Sequence, residues 1–99
     1  MGKVIWSKVA KDDLKQIYKY ISRDSKYYAD QVVEKIIGKT EHLENYPHMG
    51  RVVPEINNES IRELLVYSYR LVYQISQDDE IQVLALIHSK KQFPATLEI

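Results

Sequence analysis

The spacing of apolar residues changes along this chain, and each spacing predicts an element. Residues 3–6 form a short β-prone run that ends at Ser7, whose hydroxyl can accept from an orphan N–H of a first helical turn. From there Ala10, Leu14, Ile17, Tyr18 and Ile21 recur at spacings of three and four, which is one face of a helix ending near Ser22-Arg23. Asp24-Ser25 is a second capping signal, and Tyr28, Val32, Val33, Ile36, Ile37 and Leu43 trace a stripe on a longer helix. Gly38 sits inside that helix and allows close helix contact, at roughly 1 kcal/mol against alanine. Two amphipathic helices joined this closely should form an antiparallel hairpin.

Beyond residue 44 the pattern becomes β-like. Pro47 and Gly50 mark a loop, a short run follows at 51–53, and Asn57-Asn58-Glu59-Ser60 reads as an irregular polar loop. Three stronger strands follow at 61–67, 69–76 and 80–88. Gln77-Asp78-Asp79 has the composition of a tight turn, so the last two strands should pair as a hairpin. Ser68 leaves room for a tight turn or a bulged strand between the first two. The order β-α-α-β-β-β is an α+β layer: a helical hairpin on one face of a small, mostly antiparallel sheet, in one domain spanning 1–99. The N-terminal strand must pair with a later strand. The tail from residue 92 has no clear period.

Alternation places Leu64, Val66, Leu84 and Leu86 on one sheet face, with Leu65, Leu71, Ile75 and Ile81 nearby. That is more apolar surface than two helices can cover, and exposed surface of this kind is usually a partner site.

Composition narrows the function. Fourteen Lys and Arg balance fourteen Asp and Glu, so the electrostatic signature of an avid nucleic-acid binder is missing. The chain has no cysteine, hence no disulfide, thiolate nucleophile or Cys-based zinc site. Its three histidines show no metal-ligand spacing, and nothing calls for a metal or cofactor. His42 and His48 read as solvent or loop residues. No apolar run approaches the ~20 residues of a membrane helix. The N-terminal residues turn polar too quickly for a secretory signal, so a cytoplasmic protein is expected.

Charged residues stand at fixed places among the β-type runs: Glu55, Arg62, Arg70, His88, Lys90 and Lys91. A sheet presenting Arg, Glu and His can bind an anion, a partner chain or RNA. RNA cleavage by the 2′-hydroxyl needs a base, a stabiliser for the phosphorane and an acid for the leaving oxygen. Glu55, Arg70 and His88 can supply these three. Arg51, Arg62, Lys90 and Lys91 can hold flanking phosphates. Tyr67 and Tyr69 flank the same region and can stack on bases or on a partner's side chain. Each has a plainer alternative. Glu55 follows Pro54 in a loop and fits a solvated or paired role. Arg62 can pair with Glu55, Glu59 or Glu63. Arg70, amid apolar strand residues, must find a carboxylate, carbonyl or ligand, because an unpaired buried charge is costly.

An ordered set of short pieces resembles the RelE/ParE superfamily of toxins from bacterial type II toxin–antitoxin pairs. The pieces are Trp6-Ser7 with Leu14, Ile17 and Tyr20-Ile21, then Asp24-Ser25 with Tyr28-Ala29. Pro47, Gly50-Arg51 and Pro54-Glu55 follow, then Arg62-Glu63-Leu64, Tyr69-Arg70-Leu71-Val72-Tyr73, and Ile87-His88 with Lys90-Lys91. The resemblance implies a curved sheet whose open face holds the functional residues. It also implies a small antitoxin that wraps the toxin and alone contacts the operator DNA. The segments 50–55 and 69–73 look more like the ParE branch, whose members poison DNA gyrase, than the RelE branch, whose members cut mRNA in the ribosome. In the nuclease branch Glu55, Arg70 and His88 would be catalytic. In either branch Arg51, Arg62, Tyr69, Lys90 and Lys91 would contact the target. Nuclease members often carry a tyrosine near the chain's end; here Ser89 follows His88.

Overall fold

The computed structural model describes residues 3–91 and 93. The elements are β1 (Val4–Trp6), α1 (Lys8–Ser22), α2 (Lys26–Leu43), β2 (Arg51–Val52), β3 (Ile61–Val66), β4 (Tyr69–Ile75) and β5 (Ile81–His88). They build a five-stranded sheet in the order β1-β5-β4-β3-β2. The N-terminal strand finds its partner in β5, in parallel, and the other pairings are antiparallel. The α+β expectation holds, with two helices on a mixed sheet.

Both caps form as the sequence indicates. Ser7 Oγ accepts from Ala10 N at 3.1 Å, and Ser25 Oγ accepts from Tyr28 N at 3.0 Å. Ser7 does a second job. Because β1 pairs with β5 only over residues 81–83, the rest of that edge of β5 would be bare. Ser7 Oγ donates to Leu84 O, and the Asp13 carboxylate of α1 accepts from Leu86 N at 3.0 Å, covering two of its groups. Burial pushes the Asp13 carboxyl upward, and the Leu86 N–H bond partly offsets this.

The sheet carries a core on each face. On the helix side Ala10, Ile17, Val32, Ile36 and Leu43 pack against Leu71, Tyr73, Val83 and Leu86. On the other side Val53, Ile61, Val72, Leu84, Ala85 and Ile87 form a second cluster, covered in part by Ile56 and Phe93. The expected bare apolar face is therefore largely filled by the chain itself.

Three expectations need correction. Leu84 and Leu86 do not share a face. The register shifts by one residue, from Val72↔Ala85 to Tyr73↔Val83, and the extra residue, Leu84, turns to the second core. A bulge breaks strict alternation, which is why residues 83–87 are all buried. The buried stripe of α2 also runs one phase away from the one expected. Ala29, Val32, Ile36, Thr40 and Leu43 face inward, while Tyr28 is 53% exposed and Ile37 is also out. Ala29 is fully buried where Tyr28 was expected to be. Finally, Gly38 makes no close helix contact, since a Cβ built there meets nothing within 4 Å.

The segment between β3 and β4 resolves as a two-residue turn, Tyr67-Ser68, with Val66 opposite Tyr69. The tail beyond 91, apart from Phe93, lies outside the described residues. Among the described residues no helix is long and apolar enough to cross a membrane.

Candidate functional site

On the sheet face away from the helices, four charged side chains alternate in sign. The β2–β3 register sets Arg51 directly opposite Glu63. Arg70, on β4, shares that face and reaches Glu63 diagonally across the ladder. Glu55 comes from the turn after β2, where Asn57 N bonds back to Val53 O at 2.8 Å and folds the turn over the sheet.

The guanidinium of Arg70 is used on every side. Its Nη1 and Nη2 donate to the two Glu55 carboxylate oxygens at 2.8 and 2.7 Å, a bidentate pair. Its Nε donates to Glu63 Oε1 at 2.5 Å, and its carbon lies 5.2 Å from the centre of the Phe93 ring. Glu63 Oε2 in turn accepts from Arg51 Nε at 2.7 Å. The side chains of Arg70 and Glu63 are only 11% and 5% exposed, so this is a desolvated ion pair with every charge matched. Among the described residues no buried side-chain polar atom lacks a partner. A shallow cleft of about 520 Å³ opens over the network, with Met49, Pro54 and Leu65 on its apolar side.

The Arg70 hydrogen bonds hold the Glu55 carboxyl down at about 2, against an ordinary value of 4.5, while Arg70 itself is pushed further up. A depressed carboxyl contributes stability above its unfolded value and loses it as pH falls through its folded value. The Glu55 contribution should therefore fade from about pH 4.5 down to about 2. Urea midpoints across that window should fall more steeply for the wild type than for Glu55→Gln. Parallel curves would remove Glu55 from the acid response.

The remaining site candidates do not join this network. Among the described residues Arg62 pairs with no carboxylate. Its Nη1 donates to Gly50 O at 2.9 Å and its Nε to Glu59 O at 3.0 Å, so it clamps two loops by their backbones. His88 sits opposite Tyr69 in the register, while Arg70 sits opposite Ile87. Adjacent strand residues point to opposite faces, so the sheet itself separates the His88 ring from Glu55 and Arg70. His88 stacks edge-on against Tyr69, with ring centroids 5.4 Å apart, and its Nδ1 accepts from Lys90 N at 3.1 Å. Burial, and then the nearby Tyr20, push the Tyr69 hydroxyl upward. Lys90 and Lys91 are exposed in the turn after β5.

Glu63 is the central residue that sequence reasoning passed over, treating it only as a partner for Arg62. Its signal was present: a carboxylate between Ile61 and Leu65 on one face of a strand needs a buried cation opposite. Among the described residues no group of His and carboxylates could hold a metal ion.

Two helices on an open, mixed five-stranded sheet are the α+β fold of RelE/ParE toxins. The family model for the ParE toxin of the type II toxin–antitoxin system parDE matches residues 4–93. The chain belongs to that family. A curated relative, "Putative toxin Y4kP" of Sinorhizobium fredii, is 31% identical over 97 residues, covering 96% of each chain. Among solved structures, the chromosomal ParDE system from P. aeruginosa superposes with a TM-score of 0.74 at 22% identity, covering 91% of this chain and 98% of that one. The toxin–antitoxin complex RelBE2 from Mycobacterium tuberculosis gives 0.59 at 21% identity, covering 88% and 96%. At those identities the structural matches speak for the fold alone.

Proposed function

We propose that this chain arrests growth as the toxin of a type II pair, working in the cytoplasm by binding and poisoning DNA gyrase. The observation that carries the choice of a binder over a nuclease is the disposition of Glu55, Arg70 and His88. A carboxylate held near 2 by a bidentate arginine is a weak proton acceptor at neutral pH. The arginine that would steady a phosphorane is already committed to two carboxylates. The histidine that would serve as acid stands behind the sheet. The balanced charge supports the same reading, since a chain working on ribosomal RNA gains from excess positive charge. A cognate antitoxin would cover the helical hairpin, where Tyr20, Tyr27 and Tyr28 are exposed. Contact with operator DNA would run through that antitoxin.

Pulse labelling after induction of this chain alone tests the choice. DNA synthesis should fall first, with DNA breaks, and His88→Ala should arrest growth as the wild type does. Early collapse of protein synthesis with DNA synthesis intact, abolished by His88→Ala in folded protein, would instead make the chain an mRNA interferase.

A further inference from the structure

The β3–β4 hairpin turns through Tyr67 and Ser68, and Tyr67 has a φ of 53°. A positive φ at the first central residue of a two-residue hairpin belongs to the primed turns, where glycine, asparagine or aspartate normally sits. Among the described residues the others with positive φ outside glycine are Asn57 and Asp79, whose short polar side chains tolerate it. A tyrosine does not, and such a residue persists only where something outweighs its strain.

Nothing described within the molecule does so. Tyr67 belongs to neither core and is 50% exposed. Its neighbours at this end of the sheet are also turned outward. Leu65, on the open face two residues earlier, is 68% exposed. The turn after β5 is fastened alongside by Ser89 N donating to Ser68 O at 2.7 Å, which brings Lys90 and Lys91 to the same tip. Neither lysine is in a salt bridge among the described residues. The carboxylates of Glu55 and Glu63 are held by arginines.

From this geometry we infer that the hairpin tip is the toxin's anchor on its target protein. Tyr67 and Leu65 enter an apolar pocket there, and Lys90 and Lys91 meet carboxylates at the pocket's rim. A protein fits better than a nucleic acid. The chain as a whole has no excess positive charge, and the branched aliphatic Leu65 offers nothing to a base or a phosphate. The lysines add rate and orientation, while the aromatic ring supplies most of the affinity. The inference rests on the gyrase reading above and names the surface that would carry it. It also divides the molecule: target at the hairpin tip, antitoxin on the helices.

The test uses three proteins, wild type, Tyr67→Gly and Tyr67→Phe, with purified gyrase and with the cognate antitoxin. Tyr67→Gly should raise the thermal midpoint by roughly 4 °C, because glycine relieves the turn. It should also weaken gyrase binding by about tenfold or more, with growth arrest lost in step. Tyr67→Phe should bind gyrase within a few-fold of wild type, and all three should bind antitoxin alike. Wild type that fails to bind gyrase would sink the gyrase reading itself. Wild type that binds while Tyr67→Gly binds equally well would sink only the anchor. Loss of antitoxin binding instead of gyrase binding would assign the tip to the antitoxin and overturn the inference. A lower midpoint for Tyr67→Gly would show that the turn is not strained, with the same consequence.

Discussion

Arg70→Ala should destabilise this protein by roughly 3 kcal/mol, the lower end of what breaking a buried ion pair costs. Glu63 is 5% exposed, and Arg70 supplies the shorter of its two arginine contacts. Without Arg70 the carboxylate keeps only the Arg51 Nε bond, and Arg51 lies mostly in water, where it screens less well. Glu55 suffers little, because it already reaches solvent and would merely lose a partner. The same substitution also empties the space under the Phe93 ring. Urea unfolding of the purified variant measures the loss, and a change below about 1 kcal/mol would mean that Glu63 is not a desolvated charge.

A double variant separates charge from packing. Arg70→Leu with Glu63→Leu removes both buried charges and leaves Glu55 and Arg51 in contact with water. Replacing a buried pair by apolar side chains is often neutral. The double variant should recover most of the stability lost in Arg70→Ala. This bears directly on function. Lost toxicity in Arg70→Ala alone does not identify a catalytic arginine, because the variant's folded population falls too. A folded double variant that still arrests growth would make Arg70 a structural residue.

The elements of this fold were legible because their signals are local. Ser7 and Ser25 announce helix starts through a single side chain and the N–H three residues on. The strands β3, β4 and β5 are short apolar runs, with β-branched or aromatic residues in each, and the turn at Gln77-Asp78-Asp79 has few alternatives. What failed was phase. Tyr28 and Ile37 lie on the same broad stripe as Val32 and Ile36, and only the packing against α1 decides which edge of that stripe is buried. The Leu84 bulge is likewise invisible in β5 alone, since an unbroken apolar run reads the same with or without an extra residue.

The site was legible in part, for a related reason. The need of Arg70 for a carboxylate followed from its apolar neighbours, and the structure supplies two. Which carboxylates they would be depended on the β3–β4 register, which sets Glu63 beside Arg70, and on how the turn at 54–57 brings Glu55 over, neither of which any local pattern fixes. His88 shows the same limit from the other side. One position along β5 decides whether it faces Arg70 or Tyr69, and the bulge upstream sets that count.

Gly50→Ala and Gly38→Ala should change stability in opposite directions. A Cβ at Gly50 would lie 2.5 Å from the Glu63 carbonyl oxygen and 2.7 Å from the Tyr73 hydroxyl. Neither neighbour can give way. The Glu63 backbone is held in a ladder by β2 on one side and β4 on the other, and Tyr73 is fully buried. The loop must therefore lift off the sheet. That movement breaks the Gly50 N–H bond to Tyr73 Oη, and with it the loop's tie through Tyr73 Oη donating to Pro47 O at 2.7 Å. It also draws Gly50 O away from Arg62, and moves Arg51, the next residue, off Glu63. Overpacking costs ~1–3 kcal/mol and each lost buried hydrogen bond about 1 more. The expected loss is about 3 kcal/mol, a fall in thermal midpoint on the order of 12 °C or more. Gly38 is the control. It lies within α2 with open space around it, so alanine there should add roughly 0.5–1 kcal/mol through helix propensity alone. Thermal melts of the two variants beside the wild type decide the matter. If Gly50→Ala melts with the wild type, the loop is not seated on Tyr73, and the positions of Arg51 and Glu55 over the sheet lose their explanation.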